Sequence, residues 1–458
     1  MRRLLGRTTH LPAGAGGISR YIDSEPGREE RAARLRRLRL FGRYYRGDVY
    51  AHPAEWAALN GYAASVFPPE VYLNYARFLI DRLASFSFDR VVGVSLSADG
   101  QAACLQSPSA GERFLTSFVR QTGLLRRLTP IAREALLFGD VLLRLLHTEK
   151  AEMPLAWSMI PAEEFDYEHD PRDLSQVLLV RDEFFYYDEA GARKVHREEY
   201  YPDRIVYYRD EIASQPVRGG RVPTWLRSGG FDTRLLEVER ELPNPFGFIP
   251  AVHVRNRPCP GEKYGTSELA DLTCMLDDLN WKVAQRSRTI SRTMNAVLKN
   301  VNGRIVSDQL DDTQIISVVG ENAQLEYLVN NSDLAPVQQH LSELKQALSD
   351  LTGVVMLSPD KLTSVGAMSG FALSILYEPL LNAARTKRRE IGGKIEEFLK
   401  LVLAGAAELK VIPRDEATVA EPRLLYEPDL QFTEQEKLIR LRRELLAAER
   451  GVAAASES

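Results

Sequence analysis

Five acids, Glu163, Glu164, Asp166, Glu168 and Asp170, form a dense set of groups able to hold a cation or exchange protons. Alternate residues of an extended strand share a face, so several of them could converge. With Pro161 before and Pro171 after, they read instead as an acidic surface turn. Asp277-Asp278 and Asp311-Asp312 are adjacent pairs, which a helix splays by about 100°, and each reads as solvated surface rather than as a chelator. The seven histidines are scattered, and His253, on an apolar strand, reads as packed. Cys104, Cys259 and Cys274 lack metal-type spacing, so neither a zinc site nor a disulfide framework is indicated, and all three read as small buried residues. No G-x-x-x-x-G-K-[S/T] loop or G-x-S-x-G elbow occurs, and Gly14, Gly16 and Gly17 precede no strand–helix unit. The expectation is a protein that is not an enzyme, with no catalytic residue, metal or cofactor.

The cations are distributed more tellingly. Across 458 residues, 59 Lys and Arg stand against 63 Asp and Glu, a net charge of −4. That argues against a protein that coats DNA by neutralising its phosphates. Residues 1–50 nevertheless hold twelve Arg and five acids. Lys282, Arg286, Arg288, Arg292 and Lys299 lie on a stretch, Leu279 to Lys299, that contains no acid.

The elements that must carry these residues fall into four texts. From Arg28 to Thr148 the pattern is helical: Glu29–Tyr45 is amphipathic, and Pro69–Phe86 places Val71, Tyr72, Tyr75, Phe78, Leu79 and Leu83 at helical spacing. A helix from Ser109 runs toward Leu125, Pro130 lies near the start of the next, and Gly139-Asp140 leads into a strand at Val141–Leu146. From Pro154 to Asn256 the chain is strand-rich, with Val177–Tyr187, Glu199–Tyr208, Leu235–Glu241 and Ile249–Val254 divided by turn clusters. The third text opens at Gly265-Thr-Ser-Glu-Leu269, with Thr266 or Ser267 as helix cap. Leu269, Leu272, Leu276, Leu279, Val283, Ile290, Met294 and Val297 then make a narrow stripe roughly 40–45 Å long. A small β insert (Asn300–Val306, Ile315–Val319, Leu325–Val329) separates it from a second helix beginning at Pro336. In the fourth text, Val354–Ser369 is a long loop of the kind usually kept for function. Another helix, Phe371 to Leu409, is interrupted near Pro379, and Thr433 caps a last one. Apolar residues make up 44% and charged ones 27%, which suits a globular α+β chain with room for more than one compact unit. Leu401–Ala407 and Val354–Leu357 are too short to cross a bilayer and no secretory signal is visible, so cytoplasmic assembly without a membrane partner is expected.

Several short motifs in this order resemble phage portal proteins. Tyr44-Tyr45-Arg46-Gly47-Asp48 resembles the Y-Y-x-G element near their start. Asn74, Arg77, Leu79, Ile80 and Asp81 are similar to the helix that follows it, and Phe138-Gly139-Asp140-Val141 is similar to the glycine step after the wing helices. Pro161–Asp170 matches a proline-led acidic stretch more loosely. Asn244-Pro-Phe-Gly-Phe-Ile-Pro250, Asn256, Gly265-Thr-Ser-Glu-Leu269 and Asp277 through Asn280 resemble the run leading portals of long-tailed phages into their stem helix. Ser369-Gly370-Phe371-Ala372-Leu373 resembles the start of the helix after their tunnel loop. The resemblance spans Arg28 to Leu409.

It implies an α+β portal fold: an N-terminal arm (1–27), a helical and β wing (28–263 and 370–413), and a long-helix stem (264–299 and 337–355). A small β-containing clip (300–336), a tunnel loop (356–369) and a short helical crown (414–458) complete it. The crown departs from the family in keeping only one clear helix. The implied assembly is a homo-oligomeric ring, usually a dodecamer, at the unique capsid vertex of the virion. It would package, retain and eject double-stranded DNA read without sequence specificity. Its implied partners are the terminase large subunit, the major capsid and scaffolding proteins, and a head-completion or adaptor protein. Leu357, Asp360, Lys361, Leu362, Val365 and Met368 would be the tunnel-loop residues facing DNA. Two readings stand for Arg286, Arg288 and Arg292: lumen exposure, or salt bridges between subunits. Three stand for the Arg-rich start: protein contacts in the capsid or ring, nucleic acid, and solubility. Two rival classes remain. One is another virion connector, an adaptor or minor capsid protein, of which adaptors are usually much shorter; the other is a DNA-processing enzyme, which would need a site of unfamiliar form.

Overall fold

Capping chemistry sets the helix boundaries of the first half. In the computed structural model the described residues are 21–63, 66–96, 109–149, 152–170, 173–212, 236–294, 297–305, 318–328, 335–356, 370–419 and 421–427. Helix α1 (Glu25–Arg46) begins where the Ser24 side chain accepts the Gly27 N–H, and ends at Gly47, whose φ of 81° suits glycine. After α2 (Pro53–Asn60), α3 (Tyr75–Phe88) starts at Asn74, which accepts the N–H of Arg77. The helix expected from Pro69 therefore starts only at Tyr75, and Val71 and Tyr72 are exposed rather than part of its apolar face. Ser109 caps α4 (Ala110–Thr122) by accepting the Glu112 N–H. Gly123, at φ 66°, divides it from α5 (Leu124–Phe138), so Pro130 lies inside α5 and not near its start.

The remaining helices are α6 (Thr273–Met294), α7 (Ala335–Thr352), α8 (Gly370–Lys387), α9 (Gly393–Glu408) and α10 (Arg414–Val419). Pro379 sits within α8, and the interruption falls instead at a π-helical turn, Arg388–Gly392, between α8 and α9. The final helix expected from Thr433 and the arm before Tyr21 lie outside the described residues.

Strands β1 (Val91–Ser95), β2 (Asp140–His147), β3 (Leu155–Pro161), β4 (Phe165–Asp170), β5 (Asp173–Tyr187) and β6 (Arg193–Tyr200) are followed by β7 (Arg204–Tyr208), β8 (Glu211–Ile212), β9 (Val238–Pro243) and β10 (Ala251–Arg255). The span Glu199–Tyr208, expected as one strand, is two strands joined by a turn. A three-stranded antiparallel sheet runs β10–β2–β3, and a larger one runs β4–β5–β6–β7–β9 with β8 beside β6. Beyond α6 lie β11 (Val297–Val301), β12 (Arg304–Ile305), β13 (Val318–Val319) and β14 (Gln324–Leu328), pairing as β11–β14 and β12–β13. β15 (Arg423–Tyr426) closes on β1.

The main apolar core gathers α1, α3, α4, α5 and α9 around β2 and the beginning of α6, with Phe118, Leu128, Ile131, Leu136 and Phe398 fully enclosed. A smaller core holds Leu142, Ile160, Phe165 and Val180 between the sheets. Burial of this kind stabilises at about 25 cal/mol per Å² of apolar surface, which is why the helix faces and sheet registers are specified.

Of the acidic run expected as a surface turn, Glu163 and Glu164 do lie in a turn, whereas Asp166, Glu168 and Asp170 are on strand β4. Asp166 is 3% exposed and accepts bonds from Lys263 Nζ at 2.5 Å and Tyr264 Oη at 2.6 Å. Burial alone would raise its pKa, but Lys263 and Arg31 hold it below the ordinary value. The larger sheet is ionic on both faces. Arg181 pairs with Glu199 at 2.8 Å and Arg197 with Glu183, while on the other face Arg144 meets Asp182 at 2.9 Å and Glu198 at 3.2 Å. His196 lies between Glu198 (3.0 Å) and Asp210 (2.9 Å), and its hydrogen bond to Glu198 leads the causes that raise its pKa to about 9. A raised folded-state pKa contributes stability that is fully present below about pH 6.5 and lost as pH rises toward 9. His196→Gln should therefore cost about 2 kcal/mol at pH 6, allowing for partial exposure, and almost nothing at pH 9.5. Urea midpoints at the two pH values test this, and an equal loss at both would refute it.

Candidate functional site

The segment leading into α6 is tied to the end of α5, the start of β2 and the last turn of α8 by backbone and amide bonds that only a few residue types can make. Gly139 ends α5 at φ 89°, and Asp140 follows it, 1% exposed. One Asp140 carboxylate oxygen accepts from the Gly265 N–H at 2.8 Å and lies 2.7 Å from His253 Nε2, while the other meets Arg34 at 3.2 Å. His253 is packed as expected, and burial pushes its pKa down. Arg34 also stacks over Tyr264, 3.8 Å from the ring centre.

Asn256 is fully buried and uses both ends of its side chain. Its amide donates to Thr266 O (2.7 Å) and Glu268 Oε1 (2.9 Å), and its carbonyl accepts from Lys387 Nζ at 2.8 Å. Lys387, on the last turn of α8, also pairs with Glu268 at 2.7 Å. The Ser267 hydroxyl and the Glu268 N–H donate to the carbonyls of Leu137 and Leu136, satisfying the end of α5. The helix expected to be capped at Thr266 or Ser267 begins later, at Thr273: the Ser267 hydroxyl is committed to α5, and the Thr266 backbone bonds Asn256 in both directions.

The first turns of α6 carry the second node. Asp277, expected as solvated surface, is 0% exposed. It accepts from Tyr50 Oη (2.7 Å), Trp56 Nε1 (3.1 Å) and Tyr62 Oη (3.3 Å). Asn280 donates to Tyr50 Oη and accepts the Leu73 N–H, and Trp281 donates to Phe67 O. Trp56 and Trp281 stack edge to face at 5.6 Å. Burial raises the Asp277 pKa, and the hydroxyl and indole donors oppose the rise. Asp278 alone of the pair is partly solvated, near Lys282 and His340.

The Tyr44–Asp48 and Asn74–Asp81 elements also meet. Tyr45 Oη donates to Asp81, Asn74 donates to Tyr45 O, and a side chain at Gly47 would collide with Asn74. Asn244 spans its own turn, donating to Tyr201 O and Phe248 O and accepting the Phe246 N–H.

The predicted basic residues behave differently from one another. Arg288 pairs within the chain with Glu70 at 2.7 Å, and Lys282 lies 3.9 Å from Asp278. Arg286 is half-buried and Lys299 is exposed on β11, while the Arg292 side chain and residues 357–369 lie outside the described set. The helix expected to carry Val297 and Lys299 ends at Met294, because Val297–Val301 is taken up in pairing with β14. Cys259 and Cys274, expected to be buried, are exposed, and Cys104 falls outside the described residues. Among the described residues no group of three or more His, Cys, Asp or Glu could hold a metal, and no helix is long and apolar enough to cross a membrane. Tyr50, Trp56, Tyr62, Arg34 and Lys387 were not singled out from sequence. The only local signal was the aromatic density between Tyr44 and Tyr75.

These nodes are therefore anchoring chemistry: they fix the root of α6 to α5, α8 and the aromatic residues between α1 and α3. The family described as "Phage portal protein, SPP1 Gp6-like" matches residues 26–433. The chain belongs to the phage portal protein family. No curated protein matches it in sequence. Among solved structures the portal chain is similar to one from the "Virion of native gene transfer agent (GTA) particle", at 12% identity, over 82% of this chain and 85% of that one, with a TM-score of 0.37. As a portal protein it has a connector role in the bacteriophage virion, as part of the capsid.

Proposed function

We propose that this portal subunit closes into a homo-oligomeric ring of about twelve copies, the family's usual number, at the unique capsid vertex after assembly in the host cytoplasm. Double-stranded DNA would be packaged, retained and ejected through its channel. In this reading 28–263 and 370–413 are wing, and 264–299 with 337–355 are stem. The clip at 300–336 receives the terminase large subunit and later a head-completion or adaptor protein. The loop 356–369 borders the narrowest passage, and 414–458 is crown.

The observation that carries the reading is how the apolar stripe of α6 is covered. Leu276 and Leu279 at the root are enclosed, but Ile290, further along, is 37% exposed, and Leu351 on α7 is 64% exposed. Among the described residues the stripe loses cover from Leu279 through half-buried Val283 to Ile290, which calls for neighbouring subunits beyond the root. The net charge of −4 suits DNA that must slide, since many neutralised phosphates would hold it. Light scattering of the purified protein should return a mass well above that of a hexamer of the 51.6 kDa chain. A monomer at every concentration and salt would overturn the ring.

Replacing residues 300–336 with a short Gly-rich linker should leave the ring intact and abolish terminase binding. The support is a module in which, among the described residues, β11 pairs with β14 alone and β12 with β13 alone. Unchanged terminase capture in a pull-down would contradict the assignment.

A further inference from the structure

Many described arginines sit against a carboxylate, as Arg34, Arg43, Arg133, Arg144 and Arg181 do. The corner between α4 and α5 departs from that rule. Arg120, at the end of α4, and Arg126 and Arg127, at the start of α5, line one open cavity of about 350 Å³ together with Gln121, Thr122 and Gly123. No acid lines it, and among the described residues no carboxylate pairs with any of the three. From Arg113 to Arg133 the chain places five arginines and no acid, within a protein of net charge −4.

The geometry follows from one glycine. Gly123 at φ 66° ends α4 and starts α5 without a linker, so the last turn of one helix and the first turn of the next present their arginines to the same space. The Arg127 guanidinium lies 5.9 Å from the Trp157 ring centre, which restrains it. Like charges lining a concave surface focus the field and concentrate counter-ions there.

We propose that this corner is a phosphate-binding site that engages the backbone of duplex DNA outside the channel. It deepens the function proposed above and rests on it for the presence of DNA. Guanidinium forks match phosphate oxygens in pairs. A protein partner would need an apolar or aromatic anchor at the centre of its contact, whereas this cavity is lined by Arg, Gln, Thr and Gly with Pro130 alone as an apolar residue. Free inorganic phosphate offers the same oxygens, so the test must separate the two sources.

The probe is a covalently closed duplex minicircle, which cannot thread a closed ring, titrated against the full-length protein across a salt series. Arg120→Gln/Arg126→Gln/Arg127→Gln is compared with a control of equal charge change at exposed positions, Arg37→Gln/Arg82→Gln/Arg240→Gln. The site variant should bind the minicircle at least tenfold more weakly at low salt, with a salt slope shallower by roughly two to three, while the control stays within twofold of wild type. Equal affinity and slope in the site variant and wild type would overturn the proposal, as would an equal loss in the control. If inorganic phosphate at matched ionic strength raises the wild-type melting temperature but not the site variant's, and minicircle binding is the same in both, the site serves free phosphate and the DNA assignment fails. Tighter, site-dependent binding of poly-glutamate than of the minicircle would overturn it in favour of an acidic protein. The mass from light scattering stands apart: a non-ring mass with site-dependent minicircle binding would remove the channel and leave the phosphate site.

Discussion

Alanine at Gly265 is expected to destabilise the folded chain by about 3–5 kcal/mol. A Cβ there would lie 2.2 Å from Gly139 O, 2.6 Å from Asn256 O and 2.9 Å from Asn256 N. All three are backbone atoms, so no flexible side chain can swing aside. Moving either strand end would break the Gly265 N–H bond to Asp140 and the Asn256 bonds that lead to Lys387. The effect separates collision from ordinary backbone strain. Gly191 has φ 75° and open space around a built Cβ, so Gly191→Ala should cost only about 1–2 kcal/mol. Urea titration of both variants decides the matter. Similar losses at the two positions would show that close backbone approach at Gly265 is not what holds the α6 root.

Asp277→Ala should cost about 3–4 kcal/mol, because Tyr50 Oη, Trp56 Nε1 and Tyr62 Oη all lose their acceptor in an enclosed site. Asp277→Asn keeps the shape and one acceptor but sets an N–H₂ toward groups that donate, so about 1–2 kcal/mol is expected at neutral pH. The pH dependence gives a second readout. The folded-state pKa of Asp277 is raised above its unfolded value, chiefly by burial. Its contribution is thus most favourable below about pH 4 and declines as pH rises through the folded value. The Asn variant should lack that decline, so its deficit relative to wild type should be larger in acid than at neutral pH. A deficit independent of pH would mean that the carboxylate does not titrate with folding. Asp277→Ala within 1 kcal/mol of wild type would remove the node as an anchor.

Much of this portal was legible in residue order. Ser24, Asn74 and Ser109 are caps whose effect acts over three residues, and Gly47, Gly123 and Gly139 end helices through their own φ angles. Such signals are local, and at Ser109 and Gly139-Asp140 they read directly as boundaries; at Asn74 and Gly123 the apolar spacing runs past them, so it predicts helices from Pro69 and toward Leu125 instead. The spacing of motifs from Asn244 to Asn280 likewise pointed to the portal family that matches residues 26–433. Local pattern was weaker at boundaries. The apolar step at Val297 continued the α6 stripe, yet its backbone went to β14, since a ladder formed with Gln324–Leu328 outweighed one more helical turn.

Only the tertiary structure decided which polar groups are inside. An aspartate is favourable in a core only when donors surround it, and the donors for Asp277 come from Tyr50, Trp56 and Tyr62, over 200 residues earlier in the chain. Asp166 likewise waits on Lys263 and Tyr264, and Asn256 on Lys387. Read one by one, these residues look solvated, because their hydration cost is visible in the sequence and their partners are not. Folding reverses that reading by bringing the partners within 3.3 Å.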